Sequence, residues 1–154
     1  MNRVKKGLLF LAVVLVIIQF IQPARNTSGQ VYPADISRIY PMGKKVQGIL
    51  KTSCYDCHSN NTDYPWYAHI QPGGWWLASH IREGKEELNF NEFGNYTSRR
   101  QQSKLKAISN SIKDRTMPIS SYTLIHRNAK LSRAQQELVL GWIEKTKDNL
   151  SQIK

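Results

Sequence analysis

The feature that most constrains this chain is Cys54-Tyr55-Asp56-Cys57-His58, which contains both cysteines of a 154-residue sequence. On a helix, positions i, i+3 and i+4 share a face, so Cys54, Cys57 and His58 project together from one turn. C-x-x-C-H is the attachment sequence of a c-type haem. Each thiol forms a thioether with one haem vinyl group, and the histidine sits under the iron. A zinc site would need further Cys or His ligands at a suitable spacing, and there is no second C-x-x-C pair. A thioredoxin-like C-x-x-C would need alternating strands and helices, and no segment shows a two-residue alternation. The expected cofactor is haem c, with its iron, attached covalently through Cys54 and Cys57.

The N-terminus is read in the same light, because haem attachment takes place outside the cytoplasmic membrane. Arg3, Lys5 and Lys6 precede an apolar run, Leu8–Ile21, interrupted only by Gln19. The run is short for a spanning helix, but counting from Val4, with the lysines snorkelling, it suffices for a thin bilayer. Its exit, Ile21-Gln22-Pro23-Ala24-Arg25, lacks the small-x-small pattern of a cleavable signal. The expectation is an uncleaved signal-anchor over residues 1–22, a linker over 23–41 and a haem-binding domain over 42–152. That places the chain as a single-pass protein of a bacterial inner membrane, held through residues 4–21, with the domain on the periplasmic side.

Beyond the anchor the pattern is helical. Val46, Ile49 and Leu50 predict a helix from Gly43 to about Cys57. Residues 59–74 read as a loop, and Trp75–Leu88 as a short helix broken or bent near Gly84. Ser98-x-x-Gln101 and Ser132-x-x-Gln135 resemble capping boxes. The first opens a helix carrying Leu105, Ile108 and Ile112 and ending before Met117-Pro118; the second opens one with Leu138, Trp142 and Ile143 inward. The predicted class is all-α: a small cytochrome c-like helical domain with long loops around one haem, preceded by an N-terminal membrane helix. Such a loop-rich domain needs a staple, and an apolar cofactor supplies one. Trp66, Trp75 and Trp76 are the candidate haem-walling residues, and Arg82, Arg99 and Arg100 the candidate propionate partners.

The iron ligands are read as His58 and Met117. Met117 lies 59 residues beyond His58, at a helix end, with Pro118 behind it. Thioether ligation raises the redox potential of haem iron. His80 and His126 are the alternatives for the sixth position, Met42 a remote one, and His69 reads as structural.

The chain also resembles a bacterial haem-binding domain family with a C-x-x-C-H motif. The resemblance is carried by VYPADISRIYP, ILKTSCYDCHSNNTDYPWYAHIQP, WWLASHIREGKEELNFNEFGNYT and TMPISSYTLIHRNAKLS, and covers nearly all of residues 31–150. It implies one covalently bound haem in an exported, often membrane-anchored domain. The family's attachment residues fall on Cys54, Cys57 and His58. Its Met-Pro element falls on Met117 and Pro118, which implies a place near the haem. It names no reaction and no partner.

The net charge is +11, from 22 basic and 11 acidic residues, and the excess persists without Arg3, Lys5 and Lys6. A basic surface suits an acidic docking partner; nucleic acid is not expected outside the cytoplasm. No catalytic constellation is apparent. The expected function is a membrane-anchored monohaem c-type cytochrome, passing one electron to redox partner proteins in the membrane or periplasm, rather than an enzyme. The alternative is a peroxidase-like enzyme or a redox or gas sensor with an open or displaceable sixth site. A third reading has the haem as a structural staple alone.

Overall fold

The computed structural model describes residues 2–152. Eight α-helices follow one another: α1 Arg3–Ile18, α2 Ile36–Ile39, α3 Lys44–Ser53, α4 Tyr55–His58, α5 Gly73–Glu87, α6 Ser98–Lys113, α7 Ser120–Ile125 and α8 Arg133–Gln152. Short 3₁₀ segments occupy Trp66–His69, Phe90–Asn95 and Arg127–Ala129. No strand occurs among the described residues, in agreement with the all-α reading.

Residues at helical spacing, mostly apolar, bury one stripe of α3 and of α8. In α3 these are Val46, Ile49, Leu50 and Ser53. In α8 they are Val139, Trp142, Ile143, Thr146 and Leu150. Leu138, expected inward, is exposed, because the buried face of α8 begins one residue later. These stripes meet Leu105 and Ile112 of α6, with Phe90, Phe93 and Ile36, in the main core. A second, smaller cluster holds Ala68, Leu77 and Ile81. Cys54 and Tyr55 pack on the first cluster and Cys57 on the second, so the Cys-x-x-Cys-His turn lies at the seam between them.

The caps agree only in part with the sequence reading. Ser132 and Gln135 form a reciprocal box, with Ser132 N donating to Gln135 Oε1 (2.8 Å) and Gln135 N to Ser132 Oγ (3.3 Å). At α6 the cap is Thr97, whose side chain accepts from Arg100 N. Gln101 instead turns inward, accepting from Tyr40 and donating to the Phe93 carbonyl.

The membrane helix and the inner-membrane placement built on it are corrected by the structure. α1 has 16 residues. At 1.5 Å per residue it is about 24 Å long, short of a hydrocarbon layer of about 30 Å. No helix of the described residues is long and apolar enough to cross a membrane. The chain just beyond the helix is bonded to the domain. Gln19 Oε1 accepts from Gln71 N (2.9 Å) while Gln19 Nε2 donates to Gln71 O (3.2 Å). Trp75 Nε1 donates to the Ile21 carbonyl.

Residues 23–41 also do more than connect. Ile36 is fully buried in the main core. Buried Asp35 accepts from Ser37 N (2.8 Å), Asn91 Nδ2 (2.7 Å) and Tyr55 Oη (3.1 Å). A carboxylate out of water needs such donors, and here they come from three parts of the fold. Asp35→Ala would strand them, so a loss of ~3 kcal/mol is expected in urea unfolding. An unchanged midpoint would show that this segment is dispensable.

Candidate functional site

The turn bearing the motif is separated from α3 by a break at Cys54, whose φ of −131° and ψ of −39° leave the helical region. The expected single helix from Gly43 to Cys57 is therefore two. His58 N still donates to the Cys54 carbonyl (3.0 Å), so Cys54 and His58 remain one helical turn apart. The following residues hold the turn in place. Thr62 Oγ1 donates to Asp56 O, and Asn26 Nδ2 donates to Ser59 O.

α5 runs through Gly84 without a break. The glycine serves close approach instead. A Cβ there would lie 2.7 Å from the Cys57 carbonyl oxygen. This contact brings the Gly84 carbonyl 2.8 Å from His58 Nδ1, with the Leu88 carbonyl at 3.1 Å. Carbonyls only accept, so Nδ1 carries the proton and Nε2 keeps its lone pair. Burial pushes the His58 pKa below its ordinary value, outweighing the carbonyls that raise it. A neutral imidazole anchored through Nδ1–H is the form in which proteins present histidine to a metal.

Burial pushes the thiols the other way. Cys54 rises to about 12, with Cys57 adding to the effect, and Cys57 to about 11, with Asp56 adding. Both are free of disulfide. Protonated thiols are poor nucleophiles and poor zinc ligands. Among the described residues no group of three or more His, Cys, Asp or Glu converges as a metal cage.

Two cavities of about 260 and 250 Å³ flank the turn and share Ser53, Cys54, His58, Glu87, Met117 and Pro118. Together they form one cleft in the size range of small-molecule and cofactor sites. On one side α5 contributes His80, Glu83, Gly84 and Glu87. On the other α6 contributes Lys104, Ala107, Ile108 and Ser111. Each set follows the i, i+3, i+4, i+7 stripe of a helix face, a signal present in the sequence that singling out aromatic residues passed over.

Met117 reaches this cleft because α6 ends in a tight reversal. Arg115 adopts a left-handed φ of 55°, a conformation common just beyond a helix C-terminus. Thr116 N then donates back to the Ser111 carbonyl. His80 lines the same cleft, with its Nδ1 2.9 Å from the Trp76 carbonyl. The other candidates are engaged elsewhere. His126 Nε2 is 2.8 Å from Tyr67 Oη, His69 Nδ1 is 2.8 Å from Arg25 Nη2, and Met42 packs on the main core.

The three tryptophans do not line the cleft. Trp66 is 75 % exposed, Trp75 bonds to Ile21, and Trp76 stacks obliquely on His80 at 4.2 Å. Nor do Arg82, Arg99 or Arg100 reach it; Arg100 lies over the Tyr96 ring. The cation at the cleft is Lys104, 3.2 Å from Glu87. Phe90 and Tyr122 supply aromatic wall. The Tyr122 hydroxyl donates to Asp56 Oδ2 at 2.5 Å. Burial and the Asp56 carboxylate both push the Tyr122 pKa up, so the hydroxyl keeps its proton.

These residues fit a haem: a presented histidine, paired thiols on one turn, a thioether lining the same cleft, and a cleft of the right order of size. No curated protein and no solved structure matches the chain. The sequence matches the haem-binding domain family over residues 13–145, a span that takes in every residue of the cleft, and the chain is a member of that family.

Proposed function

We propose that this haem-binding domain holds its haem covalently and serves as a monohaem c-type electron carrier. Cys54 and Cys57 would form the two thioethers, His58 the proximal iron ligand and Met117 the sixth. The observation that carries this reading is the His58 ring, fixed by Gly84 and Leu88 with Nε2 left for a metal. With that ring already ordered, iron binding costs little conformational entropy.

Bound haem supplies a one-electron iron couple. The chain's own residues determine how that couple is used. Two protein ligands leave no coordination position for a substrate, which favours outer-sphere transfer over catalysis. Ile108, Ile112 and Phe90 line one side of the cleft with apolar surface. Lys104 is the cation placed to meet a propionate. An acidic partner protein suits the net charge of +11.

The test is direct. The haem-loaded protein, denatured in acid and solvent, should keep its haem, with a mass above the chain by one haem. In the double variant Cys54→Ala, Cys57→Ala the denatured chain should release it completely. Haem retained by that variant would overturn covalent attachment.

A further inference from the structure

The segment that carries Met117 is weakly held. In α7 the one buried side chain is Tyr122, while Leu124 and Ile125 are 76 % and 60 % exposed. Among the described residues, two hydrogen bonds join Pro118–His126 to parts of the fold remote in sequence. One is Tyr122 Oη to Asp56 Oδ2; the other joins His126 Nε2 and Tyr67 Oη. The first is the shorter, and it ends on a carboxylate, which strengthens it.

Its position matters as much as its strength. Asp56 lies inside the Cys-x-x-Cys turn. Tyr122 and Asp56 line the cleft on one side. On the other they line an open polar pocket of about 450 Å³ with Lys51, Asp63 and His126. The bonded pair is thus part of the partition between the two. Tyr122 is also only five positions from Met117.

We infer that the Tyr122–Asp56 hydrogen bond is a latch that holds the Met117 segment against the cleft. Tyr122 is then a positioning residue that sets how readily the sixth iron site opens to small ligands from the polar pocket. The inference rests on Met117 being the sixth ligand. Opening exchanges an iron–sulfur bond for a bond to the entering ligand, with no electron transferred.

The probe is imidazole, added to the ferric, haem-loaded full chain and followed by stopped-flow absorbance. At saturating imidazole the rate is limited by departure of Met117. Tyr122→Phe keeps the ring and removes the bond, and should raise that limiting rate about tenfold, the factor equivalent to about 1.4 kcal/mol. Asp56→Ala removes the same bond and also the one Asp56 Oδ1 accepts from Asp63 N (3.0 Å), so it should raise the rate at least as much. The double variant should be no faster than Asp56→Ala alone, since the bond to Tyr122 is already gone there. The rates are compared on haem-loaded protein, because Tyr122 and Asp56 both line the cleft.

A limiting rate within twofold of the parent in Tyr122→Phe would overturn the latch. So would effects that multiply in the double variant. Loss of haem loading in both single variants would assign the pair to haem attachment and overturn it equally. Met117→Ala separates the two claims, since it should bind imidazole with no limiting rate. If it behaves as the parent, the ligand reading has failed. If it binds freely while Tyr122→Phe is unchanged, only the latch has.

Discussion

Gly84→Ala is expected to loosen the haem site as well as the fold. The new Cβ would stand 2.7 Å from the Cys57 carbonyl oxygen and 3.3 Å from Cys57 Cβ. The first neighbour is backbone and cannot swing aside, so α5 and the motif turn must separate. Overpacking of this kind costs typically 1–3 kcal/mol. Alanine returns up to about 1 kcal/mol through helix propensity, and the clash outweighs it. Separation also pulls the Gly84 carbonyl from His58 Nδ1, so the ring loses its anchor. The expected result is an earlier urea transition by ~1–2 kcal/mol, with lower haem loading and a mixed-spin ferric spectrum. Gly48→Ala is the control. It lies exposed in α3 with nothing within 4 Å of its Cβ position, and it should be neutral or stabilising by up to ~1 kcal/mol. Equal stability gains at both sites would show that α5 does not need its close approach.

Replacing Met117 should have the largest spectroscopic effect. Met117→Ala removes the thioether from the lining of the cleft, and ferric haem should turn from low spin to high spin. Met117→His should remain low spin with a potential lower by on the order of a hundred millivolts, a small part of the ~0.8 V that axial ligands span. Met42→Ala should alter stability but neither spectrum nor potential, since Met42 packs on the main core. If Met117→Ala is spectroscopically silent and His80→Ala is not, the protein is a bis-histidine cytochrome.

The loss of the membrane helix changes what supports covalent attachment. An export segment was independent reason to read C-x-x-C-H as a haem site. With α1 only 16 residues long, the reading stands on the motif and on the geometry of the cleft. The apolar run Leu8–Ile21 was legible, but its fate was not. Hydropathy counts residues along the chain, whereas the residues just beyond α1 are tied to the domain by the Gln19–Gln71 pair, 52 residues apart.

What could be read from the sequence by itself was local. Cys54, Cys57 and His58 stand out because they fall within one helical turn. That Met117 follows the end of a helix was legible from the period of Leu105, Ile108 and Ile112. The Ser132 box and the all-helical class follow likewise from interactions three or four residues apart. The wall of the site was not legible, because it depends on which helix faces meet. Tryptophans are conspicuous in a sequence, yet Trp66 stays in solvent, while Gly84, Lys104 and Tyr122 take the positions around the motif. Gly84 reads as a helix breaker when only its propensity is considered; packed against Cys57 it becomes the point where a helix can touch a backbone. Asp35, read as part of a linker, becomes a buried acceptor once Tyr55 and Asn91 arrive from elsewhere in the chain. Periodicity and spacing report energies between near neighbours. Burial, close approach and the partner of a buried charge are set by residues tens of positions away, and exist only after the chain has folded.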